Sequence, residues 1–315
     1  MIRIVARRLT MAAPILLIVS FGVFALISLV PGDAARRLAG GDQASAEQVT
    51  AIRQELHLDE PLMQQYWRWL SQAVRFDFGD SLFRRTAVID DLTSRVPVTL
   101  GLVGIALVIG LLIGMPLGLA SGLRPGGLVD GSARFMTSLG IAMPSFWLGS
   151  LLVVAFAVQR QWLPPSGFTR FSDSPTEWLR YMVLPGITLG AHLAAVVARQ
   201  LRAGLITALN APSVRTAWAM GGSRRTVIGK HALKGAAGPT VTALALQVGT
   251  LLGGAVIVEQ IFSIPGLGGY LLEAILYADI PAVQGVVLVF VVGQVTISLL
   301  VDLVYGMLDP RVRVT

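Results

Sequence analysis

The chain has 315 residues, of which 54% are hydrophobic and 14% charged, with a mean hydropathy of +0.70. An average soluble domain carries about 25% charged residues, so disorder is excluded and a soluble globular fold is disfavoured. Net charge is +7 from 25 Lys and Arg against 18 Asp and Glu, and the absence of cysteine excludes disulfides, thiolate metal sites and cysteine nucleophiles.

A helix needs about 20 mostly apolar residues to cross a bilayer. Six stretches free of Asp, Glu, Lys and Arg meet that need: 9–32, 96–123, 135–159, 181–198, 235–258 and 280–301. Most lack the polar stripe that a buried helix of a soluble protein shows. The expected fold class is therefore an all-α polytopic membrane protein with six transmembrane helices. Arg3, Arg7 and Arg8 before the first stretch also fit the basic region of a signal peptide. The apolar run is longer than the ~7–15 residues of a signal, no small-x-small cleavage site follows, and five more spans do. The first stretch is read as a membrane helix.

Lys and Arg in short loops set the orientation. With the N-terminus inside, segments 1–8, 124–134, 199–234 and the tail carry 3, 2, 7 and 2 basic residues, while the short outer loops 159–180 and 259–279 carry 3 and 0. The long outer segment 33–95 holds the other 8, but long translocated loops contribute little to orientation. This predicts N-in and C-in. Within 33–95, Ser45-Ala46-Glu47-Gln48 predicts a capping box that opens a helix through Leu56. Pro61 after Asp59-Glu60 predicts a second helix with proline at its first position, carrying Leu62, Tyr66, Leu70 and Ala73 on one face. These short amphipathic helices are expected to pack on the protein's own outer face, with Trp67, Trp69 and Phe76 near the interface.

The segment 199–234 holds Arg199, Arg202, Arg215, Arg224, Arg225, Lys230 and Lys234 and no acid. Its seven charges equal the whole net charge, since the other 18 basic and 18 acidic residues cancel. Trp218 is its one aromatic residue, so a stacking platform for nucleic-acid bases is lacking. Topology alone, anionic-lipid binding and docking of a cytoplasmic partner are the competing explanations. The local pattern favours docking. Pro212 can open a helix bearing Val214, Ala217 and Trp218, Gly221-Gly222 can end it, and Ser223 can cap a second helix through His231-Ala232-Leu233 up to Gly235.

At these residues the sequence resembles a known family. Val214-Arg215-Thr216-Ala217, Gly221, His231-Ala232-Leu233 and Pro239 are similar to the EAA loop of integral-membrane subunits of binding-protein-dependent ABC importers. The resemblance continues along nearly the whole chain toward the B-type permease of the dipeptide/oligopeptide branch. It is carried by Arg7-Arg8-Leu9, Val30-Pro31-Gly32-Asp33, Leu58-Asp59-Glu60-Pro61-Leu62 with Gln65-Tyr66, and Phe78-Gly79-Asp80-Ser81. Further on it is carried by Pro144-Ser145-Phe146-Trp147, Leu163-Pro164-Pro165-Ser166-Gly167, Phe262–Gly268 and Asp309-Pro310-Arg311. The family's motif glutamate would fall at Pro212 and its basic residue before the glycine at Met220, so one acidic contact is missing. A surface ion pair is worth about 0–1 kcal/mol, so the shape of the protrusion can still carry an interface.

The resemblance implies a type I importer permease fold in the bacterial inner membrane. It divides the chain into a first membrane helix (1–32), an extracytoplasmic segment (33–95), a permease core (96–306) and a cytoplasmic tail (307–315). It implies a coupling loop over 212–239 with Arg215, Thr216, Ala217, Gly221, Ser223, His231 and Pro239, and an outer gate with Glu259, Phe262, Pro265, Gly266 and Gly268. The implied partners are a related C-type permease forming a heterodimer, cytoplasmic ABC ATPase subunits that bind ATP and Mg, an extracytoplasmic substrate-binding protein, a peptide substrate and membrane lipids, with no nucleic acid.

At membrane depth, Glu259 reads as a lining residue of the path, a partner for a basic group, or an interfacial carboxylate facing water. His192 reads as a buried, hydrogen-bonded histidine rather than a proton relay, and Gln247 and Gln294 as interhelical hydrogen-bonding residues. Asp302 reads as structural. No phosphate-cradling loop ending in Lys-Ser/Thr and no convincing Ser/His/Asp order is present, and the three scattered histidines do not suggest a metal site. No cofactor and no catalysis are expected of this chain. An ATPase-independent channel or an intramembrane enzyme is the alternative.

Overall fold

A computed structural model of the chain describes residues 2–28, 36, 45–55 and 59–308, and its regular elements are helices. The motifs Val30–Asp33 and Asp309–Arg311, Leu58, and the side chains of Arg7, Arg8 and Asp302 lie outside the described parts. Two compact units are formed, one from Met1–Val5, Pro97–Gly269 and Thr296–Thr315, the other from Ala6–Val96 and Tyr270–Val295.

Helix α1 covers Ile2–Ser28, α2 Ala46–Glu55, α3 Leu62–Ala73, α4 Val88–Leu123, α5 Leu128–Ala142 and α6 Ser145–Leu152. Then come α7 at Pro175–Leu209, α8 at Pro212–Ala219, α9 at Arg224–Phe262, α10 at Leu267–Leu276 and α11 at Ile280–Leu308. Among the described residues, four helices are long and apolar enough to cross a membrane: α4, α7, α9 and α11. The stretch expected as one span over 135–159 is instead two helices, α5 and α6, bent by 109°. Pro144 is the cause. Its ring disfavours helical backbone at Met143, which is extended at φ −80° and ψ 123°. The bent pair counts as a fifth crossing if it is one span, and α1 contributes a shorter apolar stretch, Ala13–Ala25.

In the larger unit, α7 is the central element. Ser174 caps it by accepting from Glu177 N at 3.3 Å, Pro175 occupies its first turn, and it runs well past the expected end at Ala198. Glycines 110, 114, 118 and 122 of α4 face it, four residues apart. A Cβ on Gly114 would stand 2.6 Å from the Ala194 carbonyl oxygen, and one on Gly118 2.7 Å from that of Ala198. With no hydrophobic drive between helices in lipid, such close backbone approach supplies the packing.

In the other unit, the capping box forms as expected. Ser45 N donates to Gln48 Oε1 at 3.0 Å, and Gln48 N to Ser45 Oγ at 3.2 Å. Pro61 stands one position earlier than expected, as the residue before α3. The outer helix does pack on the protein itself: Tyr66 is buried, its hydroxyl 2.8 Å from Ser20 Oγ and its ring edge-on to Phe21. Trp67 and Phe76 are exposed. Asp279 is buried and ties the start of α11 to the chain around Ser81. It accepts from Ser81 Oγ, from Leu82 N at 3.2 Å and from Phe83 N at 3.3 Å.

Candidate functional site

The basic segment folds as a helical hairpin on the end of α7 and α9. Pro212 occupies the first turn of α8, where its missing N–H costs nothing. The helix ends in paired reverse hydrogen bonds, Gly222 N to Ala217 O and Gly221 N to Trp218 O, both 3.0 Å. Gly221 sits at φ +79°, in the left-handed region, and a Cβ on Gly222 would meet Ala217 O at 2.7 Å. Ser223 then caps the next turn, accepting from Thr226 N at 3.3 Å.

The second helix does not stop at Gly235. It passes through a π turn, Val227–Ala232, and continues unbroken as the membrane helix to Phe262. Gly235 is tolerated because a packed neighbour, Ala208, lies against it. The hairpin is thus the direct extension of α9. Val214, Val227, Ala232 and Ala236 are buried in one cluster with Leu201, Leu205 and Ala208 of α7. On the outside, Arg215, Thr216, Trp218, Met220, Gly221, Ser223, Arg224, Arg225 and His231 are exposed, while Ala217 is half-buried. His231 and Pro239 line one groove together with Gln200 and Ser213.

Arg202 does not belong to this free basic face. Its guanidinium binds the buried Asp130 through Nε at 2.5 Å and Nη2 at 2.8 Å, and Asp130 also accepts from Ser121 Oγ and Gly126 N. Seventy-two residues separate the pair, so no local pattern could disclose it.

At the far end of α9, Glu259 is buried to 1% of its accessible surface, not set in water. One carboxylate oxygen accepts from Thr99 Oγ1 at 2.6 Å; the other accepts from Gly268 N at 2.7 Å and Gly269 N at 3.2 Å. Thr99 in turn accepts from Leu267 N at 2.9 Å. Those amides open α10, so Glu259 and Thr99 satisfy the free N–H groups at that helix's positive end. Phe262 and Gly268 are buried against the same segment, and Pro265 is exposed. Cβ atoms on Gly266 and Gly268 would stand 2.2 Å from Glu259 Oε1 and 2.4 Å from Val256 Cα. Sequence reading found Glu259 and the glycines but missed Thr99, whose only signal is a hydroxyl in an apolar run.

His192 is exposed on α7, not buried, and its Nε2 lies 3.4 Å from Gln247 Nε2 on α9. Gln247 therefore joins two helices as expected, whereas Gln294 is exposed. In the smaller unit Arg84 pairs with Glu273 at 2.5 Å and with Asp91 at 3.6 Å. The hydrogen bond to Glu273 holds its guanidinium above its ordinary pKa, against the opposing effect of burial. Burial, then Asp91 and Asp279, push the Tyr270 phenol up.

Long apolar helices, a sharply bent apolar helix pair and an exposed hairpin continuous with one of the long helices define a multi-pass membrane protein. The chain belongs to the family described as binding-protein-dependent transport system inner membrane component, matched over residues 114–314, with that family's N-terminal region matched over residues 1–103. It is a non-catalytic permease component of the inner membrane. It is 39% identical over 313 residues, 99% of each chain, to the glutathione transport system permease protein GsiC of Escherichia coli (strain K12). A permease protein of Brucella abortus (strain 2308) with a provisional peptide-transport name is 37% identical over 313 residues, again 99% of each chain. Among solved structures, the inward-facing MetNI methionine ABC transporter gives a TM-score of 0.55 at 18% identity, covering 69% of this chain and 96% of that one. An amino acid ABC transporter gives 0.54 at 18% identity, covering 76% and 98%. These last two speak to the fold.

Proposed function

We propose that the chain is the B-type permease subunit of an ATP-driven peptide importer. The observation that carries this reading is the hairpin 212–232: exposed, free of acid, and seated by Val214, Val227 and Ala232 on two membrane helices. A cytoplasmic ABC ATPase subunit docks on it through Arg215, Thr216, Ala217, Gly221 and Ser223, with His231 and Pro239 shaping the flanking groove. ATP and Mg are bound by the ATPase. A C-type permease completes a heterodimeric passage, and an extracytoplasmic binding protein delivers peptide. The names of the relatives support a peptide cargo.

The chain crosses the membrane six times with both termini inside, and residues 1–32, 33–95, 96–306 and 307–315 take the roles that the resemblance implies. Because α9 is continuous from the hairpin to Glu259, movement of the docked ATPase reaches the outer segment Glu259, Phe262, Pro265, Gly266 and Gly268 along one rigid helix. Alternating access follows from two arrangements of that helix.

The test is affinity purification of the chain from membranes. An ATPase should co-purify, and Gly221→Asp should abolish its recovery while the permease stays folded. Conduction or cleavage by the purified chain without any ATPase would sink the reading. Mass spectrometry of the ligand held by the co-purified binding protein identifies the cargo.

A further inference from the structure

Three side chains at mid-depth of the larger unit are not absorbed by the hairpin or by the Glu259 segment. His192 is the eighteenth of the 35 residues of α7, and Gln247 is the fifteenth of the 30 residues of the regular part of α9, Leu233–Phe262. Thr250 lies one turn further on. His192 Nε2 is 3.4 Å from Gln247 Nε2, and Thr250 Oγ1 donates to Gln247 Oε1 at 3.1 Å and to the Gln247 carbonyl at 2.8 Å. His192 and Thr250 are exposed and Gln247 is half-buried. Among the described residues, the other ring nitrogen of His192 has no partner.

A membrane's hydrocarbon cannot cover such a face. Polar and ionisable groups at mid-depth turn toward the bundle interior or a water-filled cavity, because unmet hydrogen bonds in lipid are expensive. The face also mixes donors and acceptors within a few ångströms: imidazole, amide and hydroxyl. That set matches a chain of alternating N–H and C=O groups better than it matches a lone ion, which would call for concentrated charge. Resting on the peptide-importer reading above, we propose that His192, Gln247 and Thr250 line a hydrated passage and hydrogen-bond the backbone of the peptide in transit. A helix of the second permease subunit covering this face is the outcome that opposes it.

The absence of cysteine makes the test clean, since His192→Cys and Thr250→Cys each introduce the chain's single thiol. Each variant is expressed with the complete importer in membrane vesicles and treated with a water-soluble maleimide. Labelling of this chain is read on a gel. Leu112→Cys on α4, exposed but among apolar neighbours, is the control. Thiols at 192 and 250 should label and the one at 112 should not. A mixture of alanine peptides two to five residues long, at about ten times its half-protecting concentration, should slow labelling at 192 and 250 by about tenfold, the free fraction at that occupancy. Silence at both positions in an importer that still transports overturns the inference. So does labelling that these peptides leave unchanged while the importer carries them. Uptake of the same peptides by the unsubstituted importer is measured alongside. Failure there sinks the peptide cargo, whereas thiol silence with normal uptake sinks only the passage.

Discussion

The two ends of α9 handle polarity in opposite ways. At the hairpin, cations are held outward on a scaffold of small apolar residues, and backbone turns satisfy themselves through the paired bonds at Gly221 and Gly222. At the Glu259 segment the charge is turned inward, and the chain wraps it closely enough that two glycines have no room for a methyl group. The first arrangement leaves the exposed side chains, Arg215, Met220 and Arg224 among them, outside the packing of the hairpin. The second leaves nothing free, because one carboxylate oxygen holds the α10 amides of Gly268 and Gly269 and the other holds Thr99, which itself accepts from Leu267 N. One end presents its charge to the surroundings, and the other uses its charge to hold its own fold.

The sharpest way to break that contrast is at the glycines. Gly268→Ala places a Cβ against Val256 Cα, which only backbone movement relieves, and Gly266→Ala places one against the Glu259 carboxylate, which must then leave its hydrogen bonds to Thr99 and the Gly268 amide. Overpacking of this kind typically costs about 1–3 kcal/mol, with the upper end expected where backbone must move. Both variants should lose most of the folded chain on size-exclusion chromatography in detergent, while Gly253→Ala, with nothing within 4 Å of its Cβ, should behave as the parent. Normal recovery of the Gly266 variant would mean that the segment is loosely held. Next in size is Glu259→Ala, which strands the Gly268 and Gly269 amides at about 1–3 kcal/mol each. Glu259→Gln keeps one acceptor and should lose roughly half as much on thermal unfolding. Equal loss in both would assign the effect to charge, not to the capped amides.

What the sequence disclosed divides along the same line. Local signals were legible: the capping box at Ser45, the proline and glycines of the hairpin, the apolar runs. Whatever depended on distant pairing was not. Asp130 and Arg202 meet across 72 residues, which removes one cation from the surface that charge counting assigned to the loop. Thr99 reaches Glu259 across 160 residues, and a single hydroxyl among valines and leucines carries no pattern. The bend at Pro144 was readable in principle, but an uninterrupted apolar run masked it. Gly235 misled in the other direction, since a helix packed against Ala208 tolerates a glycine that would end an isolated one.

At the hairpin, effects on folding should be smaller and effects on partnership larger. Gly222→Ala meets Ala217 O at 2.7 Å, and about 1–2 kcal/mol of strain at one exposed turn should leave the chain recoverable yet cut ATPase co-purification severalfold.

The smallest stability effect should come from the cations themselves. Arg215→Ala, Arg224→Ala and Arg225→Ala remove exposed groups, and surface substitutions of this kind stay within about 0.5 kcal/mol, so thermal unfolding should not move. If the basic face serves orientation alone, ATPase recovery should not move either. If it docks the ATPase, recovery should fall with each arginine removed and the loss should deepen with added salt, because exposed charge pairs are screened. A salt-independent loss would instead place the interface on the shape of Trp218 and Met220.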